Sequence, residues 1–255
     1  MNYLWLHARR WYLSRKHLRE PLSSLLSSTM PHRSSRFEDT EFVALDIETT
    51  GLNPSTAQVL SVGWVLIRNG RVALETAESH LVRPSRGVGS SASVHGLTDT
   101  VVIQGSRWGD VLDHIVRTLE GRVLLVHHAG LDKLLLDRLC MLRYGARLYV
   151  PLVDTLALEL RNQQRRHHIE SRKSLRLSEL RDHFGLPRYS AHDSLVDAIS
   201  TAELLIAMVA NRKSTVLANA PILGQQRHIG KDRLCRDDSI ERVTRPRLCH
   251  GLQDD

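Results

Sequence analysis

The chain reads as one α/β domain built on a mixed sheet, and three observations predict this. The apolar stretch within Phe42–Gly51, a second apolar run at Val59–Ile67 and a returning strand at Arg71–Val82 are joined by tight connections, which makes an antiparallel meander. A short continuous apolar run, Val123–Val126, predicts a strand buried on both faces, as parallel strands are. Segments with helical spacing of apolar residues then alternate with what is left of the sheet.

The elements follow in order. Gly51-Leu52-Asn53-Pro54 is a turn after the first strand, and Asn69-Gly70 is a hairpin signal between the second and third. Trp108–Leu119 places Val111, Ile115 and Leu119 four apart, with Gly121 past its end as a stop. A helix is predicted from about Ala129 to Arg143, then a short strand at Leu152–Asp154. Leu177–Phe184 is a small helix stopped by Gly185 and Pro187, and Ser194–Ala210 is a long apolar one. The order is β-β-β-α-β-α-β-α-α, with no internal repeat.

Composition sets the borders. Residues 1–36 hold seven Lys/Arg against one acid and residues 211–255 hold nine against six, whereas 37–210 carry 19 against 21. We expect a basic N-terminal extension and linker over 1–36, a domain over 37–210 and a polar, disordered tail over 211–255. Ser23–Arg36 has linker composition. The extension fits a nucleic-acid arm, an organellar transit peptide or an amphipathic helix packed on its own domain. No apolar run suggests a membrane span, and the three scattered cysteines (Cys140, Cys235, Cys249) fit a reducing compartment, so a soluble, cytoplasmic protein is expected. Cys235 with Cys249-His250 lacks the spacing and fourth ligand of a zinc site.

Chemistry concentrates in Phe42-Val43-Ala44-Leu45-Asp46-Ile47-Glu48-Thr49-Thr50-Gly51. Asp46 and Glu48 stand at i and i+2, so their side chains share one face of an otherwise apolar strand. Two like charges there are costly unless a cation lies between them, and carboxylate oxygens suit Mg²⁺ or Mn²⁺. On the helix after the fourth strand, Asp132 falls beside the stripe set by Leu131, Leu134, Leu135, Leu139 and Leu142. Asp137 falls on the polar side and reads as a solvated charge. In the last helix Asp197 lines up with Thr201, Leu204 and Met208, although Ser194-x-x-Asp197 also reads as a capping box. His192 lies five residues before it. Four carboxylates would hold two divalent ions suited to in-line attack at phosphorus, and a neutral imidazole can take a proton from water.

These residues, in this order, resemble the three motifs of the DnaQ-like (DEDDh) 3′–5′ exonucleases. The matching segments are Asp46-Ile-Glu48-Thr-Thr-Gly, Val126-His127-His128-Ala129-Gly130-Leu131-Asp132 and His192-Asp193-Ser194-Leu195-Val196-Asp197. Ser93-Val94-His95-Gly96-Leu97-Thr98-Asp99 is similar to the His-Gly-Ile-Thr loop between the first two motifs. The resemblance covers about residues 40–210. It implies a ribonuclease H-like fold, two metals on Asp46, Glu48, Asp132 and Asp197, and His192 as general base. It also implies Thr49, Leu52 and His95 as substrate contacts. The chain departs from the pattern where His128 and Leu131 replace the usual Asn and Phe, and where Ser61 stands in place of a frequent Glu.

The activity so implied is removal of nucleotides from single-stranded or frayed DNA 3′ ends. An exoribonuclease trimming small RNAs is the rival within the class, and a non-catalytic nucleic-acid-binding or polymerase-associated module is the rival outside it. A DNA polymerase or repair complex is the partner to expect. Arg161–Arg176, with six basic residues against Glu170, reads as a loop, either simply solvated or contacting backbone phosphates.

Overall fold

In the computed structural model, which describes residues 3–84, 104–165, 175–190 and 192–214, five strands form one mixed sheet. They are β1 (Phe42–Thr49), β2 (Val59–Arg68), β3 (Arg71–Leu81), β4 (Val123–Val126) and β5 (Leu152–Asp154), in the order β3-β2-β1-β4-β5. β1–β2 and β2–β3 pair antiparallel, while β1–β4 and β4–β5 pair parallel. The Asn69-Gly70 turn has positive φ at both residues (52° and 71°), the geometry that matches the twist of a two-residue hairpin.

Strand parity divides the core. Val43, Leu45 and Ile47 of β1 lie with Val62 and Trp64 of β2 in one apolar cluster, which α3 (Trp108–Thr118) and α4 (Ala129–Tyr144) cover. Phe42 and Ala44 face the other way, with Val65, Ile67 and Leu125. That second face is covered by α5 (Thr155–Arg165), α6 (Leu177–His183) and α7 (Ser194–Ser214). Asp46 and Glu48 share the parity of Phe42 and Ala44, so they belong to the face on which α7 lies.

α7 is the long apolar helix expected from the sequence. By length and composition Ser194–Asn211 is apolar enough to cross a membrane. It instead lies against β1 and β2 and buries Ala198, Ala202, Leu204, Leu205 and Met208. The helix also runs four residues beyond the expected boundary at 210.

Part of the N-terminal segment packs on the domain. α1 (Tyr3–Ser14) and α2 (Leu22–Ser27) form, and Leu13, Leu22, Leu25 and Leu26 join the same cluster as Val43 and Trp64. Three of those leucines fall at i, i+3 and i+4, which is helical spacing that serine-rich composition obscures. Arg10 is buried and donates to the carbonyls of Leu25 (2.5 Å), Ser28 (2.8 Å) and Tyr149 (2.8 Å). Burial pushes its guanidinium down to about 10. Part of the basic charge at this end therefore serves the fold, and residue 37 does not mark a border in packing. Trp5, Trp11 and Tyr12 remain exposed on α1.

A correction concerns the stretch after β5: Arg161–Arg165, expected within a loop, is the second half of α5, and Gln163 is buried there. Residues 166–174 of that basic stretch lie outside the described residues, as do 215–255 of the expected tail.

Candidate active site

The site is assembled at the end of β1 by three elements. Asp46 is the β1 position of intermediate exposure, its neighbours along the strand being buried. Side-chain oxygens of Asp46, Glu48 and Asp197 lie within 4.8 Å of one another. α7 reaches them because β2 has Gly63 opposite Asp46: a Cβ at Gly63 would overlap the backbone of Ser194 and Leu195. Only glycine lets the start of α7 sit on the sheet.

Asp132, in the first turn of α4, is buried and faces this group from another side. It stands outside the 4.8 Å cluster. Its charge, together with those of Glu48, Asp197 and Asp193, nevertheless acts on Asp46. Burial first, then these neighbours, pushes the Asp46 carboxyl well above the ordinary carboxylate range. Asp132 is raised likewise by burial, then by Asp154 and Glu48. Asp197 is raised mainly by burial, against the lowering effect of the His192 backbone N–H it accepts. Such a cluster cannot carry all its charges without a cation. Its donors are all carboxylate oxygens, so Mg²⁺ or Mn²⁺ fits the residues present.

The third motif sets a capping acid beside a member of the carboxylate cluster. Asp193, not Ser194, caps α7: its Oδ1 accepts the N–H groups of Leu195 (2.9 Å) and Val196 (3.1 Å). Asp197 Oδ2 accepts the N–H of His192 at 2.9 Å while facing Asp46 and Glu48. His192 itself is exposed and held at φ 71°, a left-handed conformation uncommon outside glycine. The bond to Asp197 fixes that backbone beside the carboxylates.

Asp154 escaped the sequence reading. One oxygen accepts the N–H groups of His128 (3.0 Å), Leu156 (3.0 Å) and Ala157 (3.3 Å), and the other accepts that of Ala129 (3.0 Å). It thus serves the first turns of α4 and α5 at once, and α4 carries Asp132. An acid at the carboxyl end of a parallel strand was the available signal. His128, where the resembling pattern has Asn, takes φ 69° and precedes α4.

Asp137 is not the solvated charge its helix phase suggested. It pairs with Lys133 (2.5 Å) and accepts the Leu148 N–H (3.0 Å), tying the following loop to α4. Of the expected substrate contacts, Thr49 is buried and donates to the Gly51 carbonyl (2.7 Å), whereas Leu52 is 87% exposed. His95 lies outside the described residues.

Comparison with known proteins bears on the family and the fold. The exonuclease family of the RNase T type matches residues 43–205. The DNA polymerase III epsilon subunit of Treponema pallidum is 30% identical over 176 residues, 68% of this chain and 79% of that one. The PolC-type DNA polymerase III of Thermotoga petrophila is 29% identical over 180 residues, 70% of this chain but 12% of the relative, so only a small part of that longer protein is matched. Among solved structures, exonuclease X in complex with 5′-overhanging duplex DNA superposes with a TM-score of 0.53 at 20% identity, covering 71% of this chain and 97% of that one. The nuclease domain of 3′hExo, a DEDDh family member, superposes with a TM-score of 0.55 at 17% identity, covering 69% and 95%. The fold is therefore ribonuclease H-like, and the chain belongs to the exonuclease family of the RNase T type, which the polymerase III epsilon relative shares.

Proposed function

We propose that the chain is a two-metal 3′–5′ exonuclease that releases nucleotides from single-stranded or frayed DNA. The observation that carries this reading is the convergence of Asp46, Glu48 and Asp197, from two elements distant in sequence, within 4.8 Å, with buried Asp132 beside them. Two divalent cations on these four acids would polarise the attacked phosphate and steady the leaving 3′-oxygen. His192 takes the proton of the attacking water, and its exposed position leaves it open to solvent and substrate. Leu52 offers an apolar surface to the terminal base, Thr49 shapes the turn that presents it, and His95 belongs to the same substrate contacts. A splayed terminal nucleotide fits a site at a strand end better than a stacked duplex does. The polymerase III names of the relatives support proofreading beside a DNA polymerase as the setting.

The test is degradation of 5′-labelled DNA and RNA oligonucleotides with Mg²⁺ or Mn²⁺, wild type beside Asp46→Ala. We expect a ladder shortening from the 3′ end, abolished by the substitution and by chelator, with DNA preferred. Loss of both substrates at equal rates would refute the DNA preference. No cleavage by folded, metal-loaded wild type would refute the enzyme.

A further inference from the structure

The opposite face of the sheet carries a second cluster that the exonuclease chemistry does not use. Glu78 and His80 stand at i and i+2 on β3, and β3 pairs Glu78 with Trp64 and His80 with Val62. Trp64 and Val62 belong to the apolar cluster of Leu45 and Ile47, so these two side chains point away from Asp46 and Glu48. α3 passes over the same face and supplies His114. The Nε2 atoms of both histidines converge on one carboxylate: His80 lies 3.1 Å from Glu78 Oε2 and His114 3.5 Å from Oε1.

We propose that Glu78, His80 and His114 form an accessory transition-metal site suited to Zn²⁺. One donor atom from each lies within 4.8 Å of the other two. Zn²⁺ takes imidazole nitrogens and carboxylate oxygens at about 2.0–2.2 Å, so small side-chain rotations would bring these three donors onto one ion. Two imidazole nitrogens and one carboxylate oxygen form a donor set that selects Zn²⁺ over the hard ions favoured by an all-carboxylate site. The side chains are 27% (His80), 37% (Glu78) and 43% (His114) exposed, which leaves an open direction for entry and for water as a fourth ligand. Beneath them the buried Trp64 ring stacks on His80 at 4.8 Å and meets His114 edge-on at 5.2 Å, holding both imidazoles in place. A bound ion would cross-link the edge strand β3 to α3.

The experiment is Zn²⁺ binding to the full chain under saturating Mg²⁺, with stoichiometry by calorimetry and Co²⁺ as a spectroscopic substitute. The proteins are wild type, Asp46→Ala, His114→Ala and His80→Asn. Wild type and Asp46→Ala are expected to bind one equivalent of Zn²⁺ that Mg²⁺ does not displace, and to melt several degrees higher with it. His114→Ala and His80→Asn should lose that equivalent and the shift, while His114→Ala keeps its Mg²⁺-dependent exonuclease rate. Melting in chelator establishes that each variant is folded before its stoichiometry is read. Absence of a Mg²⁺-resistant equivalent in wild type, or its retention in a folded His114→Ala, overturns the site. Because Asp46→Ala lacks a catalytic ligand, its Zn²⁺ result is independent of the exonuclease reading.

Discussion

His127 closes β4 just before α4, and its ring is hydrogen-bonded at both nitrogens. Nε2 lies 3.1 Å from the Leu175 carbonyl and Nδ1 2.8 Å from Thr155 Oγ1. A carbonyl only accepts, so Nε2 carries the proton; in a neutral ring Nδ1 then accepts from the Thr155 hydroxyl. Burial is the largest influence on this group and pushes it down to about 4, against the raising effect of Asp154. The sign follows from linkage: the unfolded chain binds the proton more tightly than the folded one. The stability contributed by neutral His127 is complete above the unfolded value near 6.5 and is lost as pH falls toward 4.

Two and a half pH units correspond to about 3 kcal/mol at the limit, of which about 2 kcal/mol is already lost by pH 5. With a urea slope of about 2 kcal/mol/M, the wild-type midpoint should fall by about 1 M from this group between pH 8 and pH 5. Other groups titrate in the same window, so the quantity to measure is the difference between wild type and His127→Asn at each pH. The variant starts less stable at pH 8, and the gap should narrow by about 2 kcal/mol at pH 5. Proton NMR should show the His127 ring still neutral at pH 5. Parallel loss of stability in both proteins, or a ring that titrates at an ordinary value, would refute the reasoning.

Two further outcomes follow from the carboxylates. Asp46→Asn should lower exonuclease turnover at least about 100-fold through lost metal affinity, yet in chelator at pH 7.5 it should melt above wild type. The raised Asp46 carboxyl contributes stability that is complete below its unfolded 3.8 and is lost as pH rises through its folded value, so the two melting curves should converge on acidification. A variant that melts below wild type in chelator at pH 7.5 would contradict this account. Asp154→Ala leaves four backbone N–H groups of two helix starts without their acceptor and should destabilise the fold by roughly 2–4 kcal/mol. In protein that remains folded, metal affinity should also fall, because α4 places Asp132; unchanged affinity would confine Asp154 to stability.

What was legible in the sequence, and what was not, follows from the range of each signal. Strand parity put Asp46 and Glu48 on one face because the period of 2 needs only the strand itself, and Asn69-Gly70 specified its turn through its own φ preferences. The misses arise where the deciding partner is remote. Helix phase placed Asp137 on a polar face but could not see the loop that returns to give it the Leu148 N–H. α5 was hidden because its second half, Arg161-Asn162-Gln163-Gln164-Arg165, reads as loop, and because its capping acid, Asp154, is also the last residue of β5. Ser194-x-x-Asp197 also reads as a capping box, yet the cap of α7 is Asp193; both residue types cap well, and the sequence alone does not separate them.

The same distinction explains how the candidate site is built. Asp193 caps α7, which frees Asp197 to face Asp46 and Glu48 while it holds the His192 backbone. Asp154 serves the first turns of two helices, so Asp132 need not cap α4 and remains buried toward the other acids. At both helix starts one aspartate accepts the backbone N–H groups, and a second, in the first turn of the helix, is free of that task. A helix beginning beside a cluster of carboxylates has its positive end there, which favours the negative charges before any ion binds. The chain thus reaches a high local charge density by dividing the work between paired acids. Exchanging the members of a pair would not be neutral, because the capping acid spends its oxygens on backbone N–H groups that no cation can replace.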